Sequence, residues 1–238
     1  DDGKTYVDYN RGGTPLCEIV TRPDFQTAAQ AKTYLQELRL LVRTLGVSEG
    51  DMEKGNLRCD VNISMREVLE DGSLAPLSPK TEIKNVNSFR MVDRAIEFEI
   101  KRQTALWEEG KPPSITTTRG WNDTKGRTDE QRTKEDAADY RYFPEPDIPP
   151  MELAELAEEI SRTIPELPWN KRRRLVSEYG FKMEDARQMV DDPKVADFVE
   201  QTMSELGGWL EADDQVTRDE VPDAQKKMAS HLFLCVWN

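Results

Sequence analysis

The sequence predicts an α+β fold: a mixed sheet platform bearing two long helices, followed by a small all-α region. Three observations lead there. Residues 57–65 alternate apolar and polar side chains without a break, the period of a strand with two unlike faces. Residues 27–46 and 88–110 instead repeat apolar residues three and four apart, the period of an amphipathic helix. Past Pro150 only helical patterns remain, punctuated by Pro165, Pro168, Pro193 and Pro222. A boundary near residue 150 is therefore expected, with the platform in 1–150 and the helical region in 151–238.

The first expected element is a strand over 15–20, where Glu18 stands among apolar and β-branched residues. A buried carboxylate is costly unless it is paired or holds a cation. Thr27 and Gln30 then form a capping-box pattern that opens a helix. Leu35, Leu38, Leu41, Val42 and Leu45 make its apolar stripe and Gly46 closes it. In the alternating strand, Leu57, Cys59, Val61, Ile63 and Met65 face one way and Arg58, Asp60, Asn62 and Ser64 the other. A second strand over 81–87 puts Glu82 and Lys84 on one side and Ile83 on the other. The helix that follows, 88–109, turns Val92, Ala95, Ile96, Ile100 and Leu106 inward and ends at Gly110. Residues 111–150 read as a long polar loop with a turn at 123–126 and strands too short to assign. Helices near 151–161, 169–179, 183–190, 194–206 and 223–237 complete the chain.

The formal net charge of -13 is shared by both halves: 22 basic against 27 acidic residues up to residue 150, 11 against 19 beyond it. Such a surface argues against a stand-alone nucleic-acid binder, which wants a basic face for the phosphate backbone. The one dense basic run is Lys171, Arg172, Arg173 and Arg174, readable as a phosphate contact or as a solvated helix face. Cys17, Cys59 and Cys235 lack the spacing of a zinc or redox motif and fit a reduced cytosolic setting as small core residues. The only histidine, His231, falls in a helical pattern with no ligand role expected. No apolar run approaches membrane-spanning length, and neither G-x-x-x-x-G-K-[ST] nor a helix-opening G-x-G-x-x-G occurs. A nucleotide would have to be held on charged side chains of the sheet.

Those side chains are the candidate site. Arginine, carboxylate, carboxamide and hydroxyl in a row can together hold a phosphate, a metal ion and a ribose or an amide. Each of Glu18, Asp60 and Glu82 alone is equally well explained by a structural ion pair. Three carboxylates on neighbouring polar strand faces favour a metal site, with Arg58 and Lys84 to neutralise phosphate and Asn62 and Asn87 to fix an amide, a sugar or a metal-bound water. Arg141, set among Tyr140, Tyr142 and Phe143, suits stacking on a base, a phosphate contact, or an aromatic corner.

Four runs carry a family resemblance: residues 7–16 (VDYNRGGTPL), 55–64 (GNLRCDVNIS), 82–89 (EIKNVNSF) and 139–147 (DYRYFPEPD). In this order they closely resemble the B subunit of the tRNA-dependent amidotransferase, over residues 7–150 and more weakly beyond. The resemblance implies a cradle-type catalytic domain that uses ATP and magnesium to phosphorylate the side-chain carboxylate of Glu on glutamine tRNA or Asp on asparagine tRNA. Ammonia from a glutaminase A subunit then displaces phosphate, and a C subunit joins A to B. It further implies that Glu18 and Glu82 belong to the metal site, with Asp60 holding a second ion or a bridging water. A non-catalytic tRNA-docking or assembly scaffold of the same fold is the alternative. Family members carry further metal ligands upstream of residue 7 and a tRNA-gripping tail, so the chain is expected to be an internal fragment, inactive alone, from a cytoplasmic or organelle-matrix enzyme. It departs from the family pattern at Cys17, at Thr21 and Arg22, and over 128–131, so no phosphate contact is carried over to residues 128–131.

Overall fold

A computed structural model describes residues 3–10, 12–134, 144, 146–213, 215–217 and 219–237. Its elements in chain order are α1 (Ala28–Thr44), β1 (Cys59–Ile63), β2 (Thr81–Val86), α2 (Phe89–Glu108), β3 (Thr116–Asn122), β4 (Arg127–Lys134), α3 (Ala154–Ser161), α4 (Pro168–Tyr179), α5 (Met183–Asp191), α6 (Pro193–Ala212) and α7 (Val221–Trp237). The expected α+β architecture is present, a mixed sheet with helices followed by a helical region.

The four strands lie in the order β1-β2-β3-β4. β1 and β2 are antiparallel, β2 and β3 parallel, β3 and β4 antiparallel. The parallel pair is bridged by α2, which a crossover of that length requires. Helix α1 starts where expected: Thr27 Oγ1 accepts from Gln30 N at 3.2 Å and Gln30 Oε1 accepts from Thr27 N at the same distance. Ser88 caps α2 by accepting from Met91 N.

One apolar cluster joins Ile63, Ile83 and Val86 of the sheet to Val92, Ala95 and Ile96 of α2, to Ala28 and Leu35 of α1, and to Trp121. Ile83, Val92 and Ala95 are fully buried, and such burial is worth about 1.5–3 kcal/mol for a side chain the size of isoleucine. A second cluster is built from Leu175, Phe181, Met189, Val199, Met203 and Ala229 of the helical region, with Leu40 of α1 reaching into it.

Three expectations are corrected. Residues 15–20 form no strand; Leu16 is 91% exposed and the stretch is irregular, because no described strand pairs with it. The expected loop over 111–150 contains the β3–β4 hairpin, whose turn does fall at 123–126. Helix α6 runs on to Ala212 through Gly207 and Gly208 rather than ending at residue 206. Gly207 is no breaker there: it lets α7 approach, and Gln225 Nε2 donates to Met203 O at 2.8 Å over it.

Candidate active site on the polar sheet face

The strand alternation separates two chemistries. Leu57, Cys59, Val61 and Ile63 join the apolar cluster, while Arg58, Asp60 and Asn62 are exposed on the other side. On β2, Thr81, Ile83 and Val86 are buried and Glu82 and Lys84 look away from the core. Register places Asn62 opposite Glu82, and Glu82 opposite Thr118 on β3.

Lys84 is the centre of the arrangement. Its Nζ lies 3.0 Å from Asp60 Oδ2 and 3.2 Å from Glu82 Oε1. Thr118 Oγ1 donates to the other oxygen of Glu82 at 3.0 Å. The hydrogen bond to Asp60, with help from Glu82, raises the Lys84 pKa above the ordinary lysine range despite partial burial, so the ammonium persists at any physiological pH. Glu82 is the most enclosed member, its side chain 15% exposed against 55% for Asp60. A cation held between two carboxylates, open to solvent on one side, is a place where phosphate oxygens can be received.

The remaining expected site residues fall in different places. Arg58 precedes β1 and Asn87 follows β2, so both lie beyond the Cys59–Val86 pair at one end of the two paired strands. Asn62 sits opposite Glu82 on the exposed face. Glu18 is a correction: it lies exposed on the irregular stretch and is not brought to Asp60 and Glu82. Among the described residues, no three of His, Cys, Asp and Glu gather closely enough to share an ion. Magnesium, however, often takes only one or two protein carboxylates, and completes its shell with water and substrate phosphates. Asp60 and Glu82 supply that minimum of carboxylates, but the point within 3.2 Å of both is the Lys84 ammonium, so an ion would have to sit beside Lys84 on their remaining lone pairs. They do not fit a closed, all-protein site. Arg141, Tyr140, Tyr142 and Phe143 lie outside the described residues.

A profile described as the GatB/GatE catalytic domain matches residues 1–159. The chain belongs to the GatB/GatE family. Similar curated proteins are named as the B subunit of aspartyl/glutamyl-tRNA(Asn/Gln) amidotransferase. One from Roseiflexus castenholzii is 47% identical over 205 residues, 86% of this chain and 41% of the relative. Those from Thermus thermophilus and Halorhodospira halophila are 44% and 46% identical over 220 and 208 residues, covering 89% and 87% of this chain and 45% and 42% of theirs. The chain thus spans less than half the length of these relatives.

In this GatB/GatE-family chain, the basic run of α4 is occupied by internal partners. Lys171 pairs with Asp197 and Glu200, Arg172 with Glu37 and Asp191, and Arg174 with Glu166, Glu178 and Glu200. Three of its four cations are thus paired and tie α4 to α1, α5 and α6, while Arg173 is exposed. His231 lies in α7, as its pattern implies.

Sequence reasoning misses two things. Thr118 is hidden in a stretch that reads as loop, and its only signal is the run of β-branched threonines at 116–118. Behind the site, Glu99 of α2 is fully buried. It accepts from Arg102, from Gln103 at 3.0 Å and from Thr128 at 3.2 Å, while Arg119 Nε donates to Thr128 Oγ1 at 2.7 Å. Gln103 also donates to Thr81 Oγ1 at 3.2 Å. This buried polar network fixes the backs of β2, β3 and β4 at the rows whose fronts bear Glu82 and Thr118.

Proposed function

We propose that the polar sheet face is the phosphoryl-transfer site of a tRNA-dependent amidotransferase B subunit, acting on Glu-tRNA(Gln) or Asp-tRNA(Asn). The observation that carries this reading is Lys84 held between Asp60 and Glu82, with Glu82 fixed by Thr118. Phosphoryl transfer is mostly positioning and charge neutralisation, and a preorganised cation on rigid strands supplies both.

In the first step a side-chain carboxylate oxygen of the aminoacyl group attacks the terminal phosphorus of ATP. An O–P bond forms as the bond to the bridging oxygen breaks, and ADP leaves. Ammonia, supplied by a glutaminase A subunit, then attacks the acyl carbon. Phosphate departs with the C–O electron pair, nitrogen loses a proton, and the amide remains. Lys84 and Arg58 neutralise phosphate oxygens. Asp60 and Glu82 keep Lys84 charged and aimed, and would hold magnesium, which when bound screens the phosphates and aligns them. Thr118 stops Glu82 from swinging away. Asn62 and Asn87 are assigned to the substrate amide or sugar, and Arg141 to a tRNA end or nucleotide. Glu18 would join the metal site only if other parts of the assembly carried its segment there.

The full activity is assigned to the cytoplasmic complex of A, B and C subunits with misacylated tRNA, and the chain alone is expected to be inactive. Among its described helices none is long and apolar enough to cross a membrane. The test is ADP release from ATP in the presence of Glu-tRNA by the complete complex, wild type against Glu82→Gln. Loss of release with tRNA affinity retained supports the site; unchanged release makes the polar face structural and favours the scaffold alternative.

A further inference from the structure

Two carboxamides meet on the polar face with no part in the chemistry above. Each sits at an irregularity of its strand. Between the Cys59–Val86 and Val61–Ile83 pairs, β2 spends one residue more than β1, at Asn85. Between the Thr118–Arg132 and Arg119–Glu130 pairs, β4 carries Gln131 as its extra residue. Bulges re-aim side chains and are enriched beside active sites. Asn85 holds the positive φ of 65° that this bulge demands, the only such non-glycine among the described residues.

Between the two bulges runs β3, and the residue it places there is Gly120, the register partner of Lys84. A methyl group at Gly120 would lie 2.5 Å from Gln131 Nε2 and 3.1 Å from Asn85 Nδ2. Both amide nitrogens therefore lie over one bare glycine, one strand away from the ammonium. Among the described residues neither carboxamide has a hydrogen-bond partner. Two amide nitrogens gathered over one place suit an acceptor oxygen; a purine edge would ask a single carboxamide for a donor and an acceptor together.

We propose that Asn85 and Gln131 donate to the acyl oxygen of the substrate's side-chain carboxyl group, the oxygen that stays unphosphorylated when its twin takes the phosphoryl group. This rests on the reading of the polar face given above. When ammonia adds to the acyl carbon, the C=O π pair moves onto that oxygen and returns as phosphate leaves. Donors already in place there stabilise the charge as it develops. Gly120 is what lets the two amides approach.

The test uses the full-length subunit in its complex with the A and C partners. Asn85→Gly keeps the left-handed backbone accessible and removes only the carboxamide. Gln131→Ala removes the second donor. Gly120→Ala pushes the flexible end of Gln131 aside and is expected to copy Gln131→Ala. Each variant should lower kcat for amide formation from Glu-tRNA, ATP and ammonia about tenfold or more, with KM for ATP within about twofold. Thermal midpoints should stay within about 2 °C of wild type. Without ATP, the infrared band of a 13C-labelled side-chain carboxylate on Glu-tRNA should shift on binding to wild type and not to the Asn85→Gly, Gln131→Ala double variant. Wild-type kcat and an unaltered band shift in that double variant, while Glu82→Gln is inactive, would overturn the carboxamide proposal and leave the site standing. Normal rates in Glu82→Gln as well would overturn both.

Discussion

Arg172 of α4 donates from one nitrogen, Nη1, to both carboxylate oxygens of Glu37 in α1, at 2.8 and 2.9 Å, across 135 residues of sequence. The guanidinium is nearly buried, its side chain 9% exposed, and Asp191 stands 3.7 Å from Nη2. Leu40, one turn along α1, enters the helical cluster beside this pair. An ion pair at the rim of an apolar contact orients it more than it strengthens it.

Glu37→Ala should therefore destabilise the chain by about 1–3 kcal/mol, chiefly by leaving Arg172 desolvated with Asp191 alone. Adding Arg172→Met should recover much of the loss, because no buried cation then lacks a partner. Urea unfolding checks both; a single variant within about 0.5 kcal/mol of wild type would show the pair to be neutral.

Glu99 and Arg119 should behave as one unit. Glu99→Leu leaves Arg102 and Arg119 without their buried carboxylate, and Arg119→Met strips Thr128 of its donor; each is expected to cost about 3–5 kcal/mol. The double variant should lose clearly less than the two added together, since they share partners. Strict additivity in denaturant midpoints would mean that the two side chains act separately.

Cysteine chemistry should divide by position. Cys17 is exposed. Burial, assisted by the Asp60 carboxylate, pushes the Cys59 thiol up from 9.0 to about 11. Peptide-level mass spectrometry after iodoacetamide at pH 8 should find Cys17 modified at least tenfold faster, because Cys59 is half-buried and its thiol keeps its proton. The sign for stability follows. Between about pH 9 and 11 the unfolded thiol ionises while the folded one keeps its proton, so the unfolded chain binds fewer protons and stability falls as pH rises. Cys59→Ala should flatten that decline, and an unchanged slope would assign it to other groups.

Ile83, fully buried between Glu82 and Lys84, anchors the site from behind. Ile83→Ala should cost about 2–5 kcal/mol in thermal or urea unfolding. A loss under about 1 kcal/mol would mean that the strand is held by its hydrogen bonds and not by this contact.

The legible part of this protein is the part in which periodicity and chemistry agree. Residues 57–65 and 81–84 announce both faces of β1 and β2, because apolar side chains fill nearly every inward position. β3 is illegible for the opposite reason: its inward positions include Arg119, which faces Glu99 and Thr128, so the strand carries no apolar alternation. Asn85 breaks the period at the bulge, where a backbone of positive φ leaves no pattern in composition. Glu18 misleads because apolar neighbours imply burial only when another strand is present to bury them. In α2, Glu99 follows the inward Ile96 by three residues and Gln103 follows Glu99 by four, so both point to the core; a search for hydrophobic spacing alone passes over polar residues paired inside.

Each strand of the sheet lies beside its successor in sequence. The polar face from Asp60 to Gln131 is thus assembled by contacts nearer along the chain than the Glu37–Arg172 pair, 36 residues apart at Glu82–Thr118 against 135, and nearer contacts tend to form earlier. During synthesis the face can take shape before α4 to α7 are made, and the Glu37–Arg172 contact must wait for α4. A ribosome that stalls well past β4 would display a formed polar face while α1 still lacks the helices that cover Leu40.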